Sequence, residues 1–105
     1  MAVIYEVTLH AHIEVADAYL AWLRAHVADM LALPGFESAE LDTLETASTT
    51  ERSWCVRYRL RDRAALDDYL RDHAPRMRAD GVARFGDSFR AERRILAPLD
   101  YRDRR

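Results

Sequence analysis

The chain has 105 residues, half of them hydrophobic and about a third charged, which is the composition of one globular domain and not of a disordered segment. A formal net charge of −2 argues against general affinity for nucleic acid or an anionic membrane, and no stretch approaches the roughly 20 apolar residues of a membrane span. The single cysteine, Cys55, excludes a disulfide within the chain. The N-terminus has no basic start and no cleavage site of a signal peptide, so we predict a cytoplasmic protein.

The first half of the chain predicts a strand, a helix and a hairpin. Residues 3–9 alternate between apolar and polar side chains, as a half-buried strand does. Residues 15–33 switch to helical spacing, and Pro34 with Gly35 ends that helix. Residues 36–44 and 54–60 alternate again on either side of a polar loop at 47–51, which predicts a hairpin. The apolar stripe predicted for the helix is Ala16, Leu20, Leu23, Val27 and Met30, with Tyr19, Trp22 and His26 beside it.

The second half predicts a helix in two pieces and a final strand. Asp62 is the expected N-cap of the first piece, and Pro75 interrupts the helical pattern. A second piece is predicted from Pro75 to about Phe85, because proline is tolerated in a first turn. Phe89, Ala91 and Ile95 then mark a strand with charged residues between them. The charged tail from about residue 98 is expected to fray.

The order strand, helix, strand, strand, helix, strand predicts an α+β fold of the ferredoxin-like β-α-β-β-α-β type. We expect one domain over residues 1–105, a four-stranded antiparallel sheet, and helices on one face of it. The other face would be either solvated or a polar interface with a second copy, because charges of both signs alternate on neighbouring strands. The charged residues predicted on that face are Glu6, His10, Glu40, Asp42, Arg57, Arg59, Arg90 and Glu92.

Four segments of the chain are distinctive: VIYEVT at 3–8, WLRAHV at 22–27, YLRDHAPRMR at 69–78 and RFGDSF at 84–89. They resemble a family of short bacterial proteins known as domain of unknown function 4286. The resemblance spans about residues 3–96 and implies a homodimeric α/β-barrel protein. That wider group is similar in layout to antibiotic-biosynthesis monooxygenases, haem-degrading monooxygenases, and small isomerases and dismutases. It implies a small-molecule ligand between the sheet and the helices, but the family carries no assigned activity.

His26 is the candidate catalytic residue. It lies one helical turn after Trp22 at the edge of the buried stripe, where an imidazole could act as an acid, a base or a haem ligand. Trp22, Tyr58 and Tyr5 are candidate ligand-binding residues, although their spacing also fits ordinary core packing. A half-buried structural histidine is the alternative interpretation of His26.

Other polar residues give weaker signals. His73 ends a helix and Arg76 follows it, so both are candidate ligand-binding residues and equally ordinary helix-end or ion-pair residues. His10 and His12 point the same way on a strand, but no third ligand is evident and we predict no metal site. The third strand lacks the exposed aromatic signature of RNA-recognition modules, so we predict no nucleic-acid binding.

Three functions stay open at this point. The first is small-molecule binding or cofactor-independent catalysis, oxygenase-like or isomerase-like, with His26 as general base. The second is a non-catalytic regulatory or interaction module acting as a homodimer. The third is haem binding through His26 or His73. No motif in the chain identifies a cofactor, and none decides whether the protein is an enzyme.

Overall fold

The computed structural model describes residues 1–99 and confirms the predicted α+β, ferredoxin-like fold. The part of the predicted tail from residue 100 onward lies outside the described residues. None of the helices in residues 1–99 is long and apolar enough to cross a membrane. In chain order the elements are β1 (Val3–His12), α1 (Ala16–Leu31), β2 (Phe36–Leu44), β3 (Glu51–Leu60), α2 (Arg63–Asp72), α3 (Ala74–Phe85) and β4 (Phe89–Leu96).

The four strands form one antiparallel sheet in the order β2-β3-β1-β4. Tyr5 on β1 lies opposite Tyr58 on β3 and Ile95 on β4, and residues that pair in this way share one face of the sheet. β3 begins three residues earlier than predicted, since Glu51 pairs with His12 at the far end of β1. The inner face is buried along its two central strands by Val3, Tyr5, Val7, Leu9, Trp54, Val56, Tyr58 and Leu60.

The opposite side of the sheet, here called the open face, carries the alternate residues. It is formed by Ile4, Glu6, Thr8, His10 and His12 of β1, Glu51, Ser53, Cys55, Arg57 and Arg59 of β3, Ser38, Glu40, Asp42 and Leu44 of β2, and Arg90, Glu92, Arg94 and Leu96 of β4. The charged residues predicted for this face therefore all lie on it.

Helix α1 buries Ala16, Leu23 and Met30 of the predicted stripe, but it is rotated so that the centre of the buried side shifts toward Tyr19. Tyr19, expected beside the stripe, is fully buried, whereas Leu20 and Val27 are only partly buried. The reason is aromatic packing, because the Tyr19 ring lies 5.8 Å from that of Trp54 and 5.1 Å from that of Phe89. The helix also ends two residues early, since the N–H groups of residues 32 and 33 each bond three residues back.

The second helical region is divided at His73, as the proline predicted. Asp62 caps α2 by accepting a hydrogen bond from the Ala65 N–H at 2.8 Å. His73 follows the last residue of α2 and precedes α3, in which Pro75 occupies the first turn. Gly81 is buried in α3, where a Cβ atom would lie 3.0 Å from the Trp22 ring. Glycine therefore lets α3 approach α1 closely.

Candidate functional site

A cavity of about 310 Å³ lies between the inner face of the sheet and helices α1 and α3. This volume is at the lower end of the range for small-molecule sites, about 300–1,000 Å³. Its walls are mainly aromatic and aliphatic, and its exposed residues mark the side that opens to solvent. The lining residues include the buried Tyr5, Val7, Leu9, Tyr19, Leu23, Tyr58 and Tyr69, the half-buried Trp22, His26 and Phe89, and the exposed Arg78, Val82, Arg90 and Arg93.

Four of the predicted site residues come together here. Tyr5 and Tyr58 lie side by side on β1 and β3, with ring centroids 6.2 Å apart, while Trp22 and His26 approach from α1. His73 and Arg76 do not line the cavity. They contact each other instead, with Arg76 Nη2 2.8 Å from His73 Nδ1, so a role for them in ligand binding stays a prediction.

The His26 imidazole stacks on the Trp22 ring, with centroids 4.6 Å apart and an angle of 22° between the planes. Burial holds the pKa of His26 below its usual 6.5, and the charges of Asp29 and Asp80 oppose that shift in part. His26 is therefore neutral at pH 7. A neutral imidazole beside a cavity is able to accept a proton from a bound molecule.

Trp22 is itself held by the neighbouring helix. Its Nε1–H donates to Asp80 Oδ2 at 2.9 Å, and Arg84 pairs with the other oxygen of that carboxylate at 3.4 Å. These bonds, the Trp22 bond foremost, keep the pKa of Asp80 below its usual range. They fix the stack of Trp22 and His26 against α3 at the cavity wall.

Tyr19 is a cavity residue that sequence reasoning did not select. Its side chain is fully buried, and its hydroxyl has no hydrogen-bond partner within residues 1–99. Burial raises the pKa of Tyr19 far above the usual value, while the charge of Arg93 acts in the opposite direction. An unpaired buried hydroxyl is costly, since such groups almost always find a partner. The only indication in the sequence that Tyr19 faces the cavity was its helical spacing, because it lies one turn before Leu23 and two turns before His26.

Two arginines, Arg78 and Arg93, also line the cavity, although neither was among the residues predicted to form the pocket. Arg78 donates from Nη2 to Tyr5 Oη at 3.0 Å, so its guanidinium reaches the tyrosine wall and not only solvent. Arg93 occupies the inward register of β4, between Ala91 and Ile95, and forms no ion pair or hydrogen bond with the part of the chain that the structure describes. A charged residue at an inward position of a strand was the signal for Arg93.

The family described as Domain of unknown function (DUF4286) matches residues 2–99. The chain belongs to this family. The match covers the whole of the folded region described above and confirms the resemblance carried by the segments in β1, α1 and the two later helices. The DUF4286 description names no activity, so a function can be inferred only from the residues of the cavity.

Solved structures similar to this DUF4286 protein share its fold. A variant of SnoaB from Streptomyces nogalater, described as a cofactor-independent oxygenase, is 16% identical with a TM-score of 0.68, covering 95% of each chain. A protein assigned as an antibiotic biosynthesis monooxygenase from Deinococcus radiodurans is 17% identical with a TM-score of 0.70, covering 98% of each chain. Rv0793 from Mycobacterium tuberculosis is 25% identical with a TM-score of 0.62, covering 98% of this chain and all of that one. No curated protein matches the chain.

The two histidines at the end of β1 in the DUF4286 chain each contact other protein groups. Within residues 1–99, no three His, Cys, Asp or Glu side chains are grouped so as to hold a metal ion. His10 bonds to Ser53 Oγ at 2.6 Å and lies 3.2 Å from Glu92, while His12 Nδ1 accepts from the Glu14 N–H. His26 lines the cavity and His73 does not, and haem binding through either of them stays a prediction.

The open face centres on Glu6. Its side chain is only 2% exposed although no helix covers it, because Arg57 and Arg94 lie over it from the two neighbouring strands. Arg57 Nε donates to one carboxylate oxygen at 2.8 Å and Arg94 Nε donates to the other. The bond from Arg94 is the main cause that lowers the pKa of Glu6, with Arg57 acting in the same direction against burial.

Proposed function

We propose that this protein binds a small planar molecule in the cavity and catalyses a cofactor-independent reaction on it, with His26 as general base. The observation that carries the proposal is the half-buried imidazole of His26, stacked on Trp22 at the wall of an aromatic cavity. Tyr5 and Tyr58 supply flat surfaces on the opposite wall. Aromatic walls of this kind favour a planar ligand through offset stacking and edge contacts.

The reaction class follows from what a neutral imidazole does. His26 removes a proton from an acidic carbon of the ligand and leaves a carbanion conjugated with an adjacent carbonyl group. Return of the proton to another carbon would complete an isomerisation. With dioxygen as co-substrate, a methylene group becomes a carbonyl group, since one oxygen atom stays on the carbon and the other leaves as water with the two hydrogens.

The likeness in fold to SnoaB, described as a cofactor-independent oxygenase, supports the second of these outcomes. At 16% identity it does so by analogy of fold alone, and fold does not imply function. Proton removal is common to both outcomes and is the step that His26 is proposed to perform. The test therefore addresses that step.

Proton removal is measurable without knowing the natural substrate. The probe is beta-tetralone, a bicyclic ketone with an acidic methylene between its ring and its carbonyl, incubated with the protein in heavy water. We expect the protein to accelerate deuterium incorporation, followed by proton NMR, and His26→Gln to lower the rate by about a hundredfold. Because only neutral His26 accepts a proton, the rate should rise with pH and level off, with a midpoint below 6.5.

His73→Gln provides the matched control, since His73 does not line the cavity. The His73→Gln variant should catalyse deuterium incorporation into beta-tetralone at the wild-type rate. Equal rates for wild type and His26→Gln would overturn the role of His26, and a loss as large in His73→Gln would move the base away from the cavity. A wild-type rate no faster than that of buffer would count against the catalytic proposal for this class of carbon acid.

We also propose that the protein is a homodimer joined through its open faces. The supporting observation is that the structure covers only one side of the sheet with helices, leaving the face around Glu6 without a second layer. This face carries acidic and basic residues side by side, so two copies related by a two-fold axis would present complementary charges. The same face is the contact surface that a non-catalytic interaction module would use.

A further inference from the structure

The charged residues around the cavity are all of one sign. Three arginines line it, Arg78, Arg90 and Arg93, and no aspartate or glutamate of residues 1–99 does. This is not a reflection of overall composition, because acidic residues outnumber basic ones, 18 to 16, in the whole chain. Asp80, whose charge reaches His26, is bonded to Trp22 and paired with Arg84 outside the lining. Cations that line an apolar cavity without a carboxylate among the lining residues create a positive potential that a bound anion would neutralise.

The three arginines differ in what they already contact. Arg90 belongs to the register of the open face, where it is paired with Glu92 at 2.9 Å and Glu51 at 3.3 Å, so its charge is neutralised there and does not face the cavity. Arg78 is bonded to the uncharged hydroxyl of Tyr5. Arg93 has no partner within the described residues, although its charge is felt at His26, Tyr19 and Tyr69 across the cavity. Arg78 and Arg93 therefore both keep their charge at the cavity, and Arg93 has no hydrogen bond within residues 1–99 that a ligand would have to displace.

Tyr19 supplies an independent observation. Its hydroxyl is buried in the wall of the same cavity and has neither a protein donor nor a protein acceptor within residues 1–99. A buried hydroxyl without a partner destabilises the free protein, so phenylalanine would be the better residue for stability alone. A ligand oxygen that accepts from Tyr19 Oη would remove this cost only in the complex.

We propose that the cavity takes a planar aromatic ligand with an anionic oxygen, a carboxylate or an enolate, and that Arg93 and Tyr19 bind that oxygen. The inference rests on the proposed function and adds the charge and the polar contacts of its ligand. Guanidinium binds an oxyanion through paired N–H donors, and the Tyr19 hydroxyl adds one donor in a site of low polarity. An enolate formed by His26 would be held by the same two groups.

The test compares two probes of nearly equal shape that differ in charge, naphthoate and naphthamide, by isothermal titration calorimetry on the full chain. We expect naphthoate to bind about tenfold or more tightly than naphthamide. Arg93→Gln should abolish that preference and leave naphthamide unchanged. Arg63→Gln, which removes the same charge from the exposed surface of α2, should retain the preference.

Tyr19→Phe separates a binding role from a packing role. We expect this variant to unfold at the same temperature as wild type or a higher one, because a buried hydroxyl without a partner is removed. The same variant should bind naphthoate several-fold more weakly. A lower unfolding temperature would show that the hydroxyl already has a partner in the free protein, and unchanged naphthoate binding would remove Tyr19 from the site.

The outcomes distinguish this inference from the proposal on which it rests. Equal binding of both probes would overturn the anionic ligand while leaving an aromatic-binding cavity. A preference that persists in Arg93→Gln would remove Arg93 from the anion site. Failure of both probes to bind wild type would contradict the planar aromatic ligand and the inference together. Deuterium exchange that depends on His26, with no preference for naphthoate, would retain the general base and reject the anion site.

Discussion

Glu6 is a buried carboxylate held from both sides by exposed arginines. The guanidinium of Arg94, together with that of Arg57, lowers the pKa of Glu6 below its usual 4.5. A group with a lowered pKa in the folded state stabilises the fold at pH values above its unfolded pKa. That contribution is lost as the pH falls through the folded pKa, so acid should weaken the protein through this residue.

Glu6→Gln tests this contribution. At pH 7 the variant should lose about 1.5–3 kcal/mol in the free energy of unfolding, since hydrogen bonds to a charged group are replaced by bonds to an amide. The difference from wild type should shrink as the pH falls below 4.5, because protonated Glu6 also lacks the charge. Urea unfolding at a fixed protein concentration, repeated at several pH values, measures both effects.

Glu40→Gln is the control, because Glu40 is an exposed carboxylate on the same face. It should change stability by less than about 0.5 kcal/mol at every pH. A loss that is the same at pH 3 and pH 7 for Glu6→Gln would mean that packing, and not the charge of Glu6, accounts for its effect.

The cavity residues that the sequence did not reveal depend on how separate elements pack against one another. His26 and Trp22 could be selected from sequence because helical spacing places them near an apolar stripe. Tyr19 could not, since the rotation of α1 about its axis depends on rings from β3 and β4 that are distant in the chain. Arg93 was missed although the alternation of β4 marks its position as inward, because an arginine at such a position has a role only once a cavity is known to lie there.

At the level of elements, local patterns in the sequence were sufficient to predict which helices and strands form and in what order. Alternation predicted the strands, and Asp62 and Pro75 predicted how the second helical region begins and divides. Ends were less well predicted, since β3 is lengthened to Glu51 by pairing with the far end of β1. Two of the connections between elements depend on backbone conformations that only glycine adopts easily.

Gly35 and Gly86 both have positive φ, +85° and +56°, where two elements meet. At Gly35 a Cβ atom would also lie 2.5 Å from Cβ of the buried Ala65, whereas at Gly86 it would meet nothing within 4 Å. Gly86→Ala should therefore cost about 1–3 kcal/mol from backbone strain alone. Gly35→Ala should cost about 2–5 kcal/mol, because the steric clash with α2 adds to the strain.

Urea unfolding of the two glycine variants, measured side by side, gives the difference between their losses in the free energy of unfolding. A cost at Gly35 no larger than that at Gly86 would mean that α2 shifts away without penalty. Adding Ala65→Gly to Gly35→Ala separates the two terms, since it removes the clash and retains the strain. The double variant should regain the part of the unfolding free energy that the clash had cost. This gain is reduced by the roughly 1 kcal/mol that a glycine costs within a helix.

The whole molecule is a two-layer plate, about 41 × 40 × 18 Å, with helices on one side only. A chain of this size buries only around two thirds of its unfolded surface, so a second copy against the open face would add burial where the fold itself supplies none. Thr8 lies on the central strand of that face, between Cys55 on β3 and Glu92 on β4. Its side chain points away from the cavity and the core.

Thr8→Arg places an extra cation at the middle of the open face. In a two-fold dimer both copies carry the added cation, and removing two added charges from water in the interface costs free energy of association. We expect wild type to sediment with twice the mass of the chain at micromolar concentration and Thr8→Arg with the mass of one chain.

Ala64→Arg is the control, because Ala64 lies on the exposed surface of α2, and this variant should remain dimeric. A monomeric wild type would refute the dimer, and dissociation by Ala64→Arg instead would place the interface on the helical side. Circular dichroism of Thr8→Arg should match wild type, because the substituted residue contributes nothing to the packing between sheet and helices.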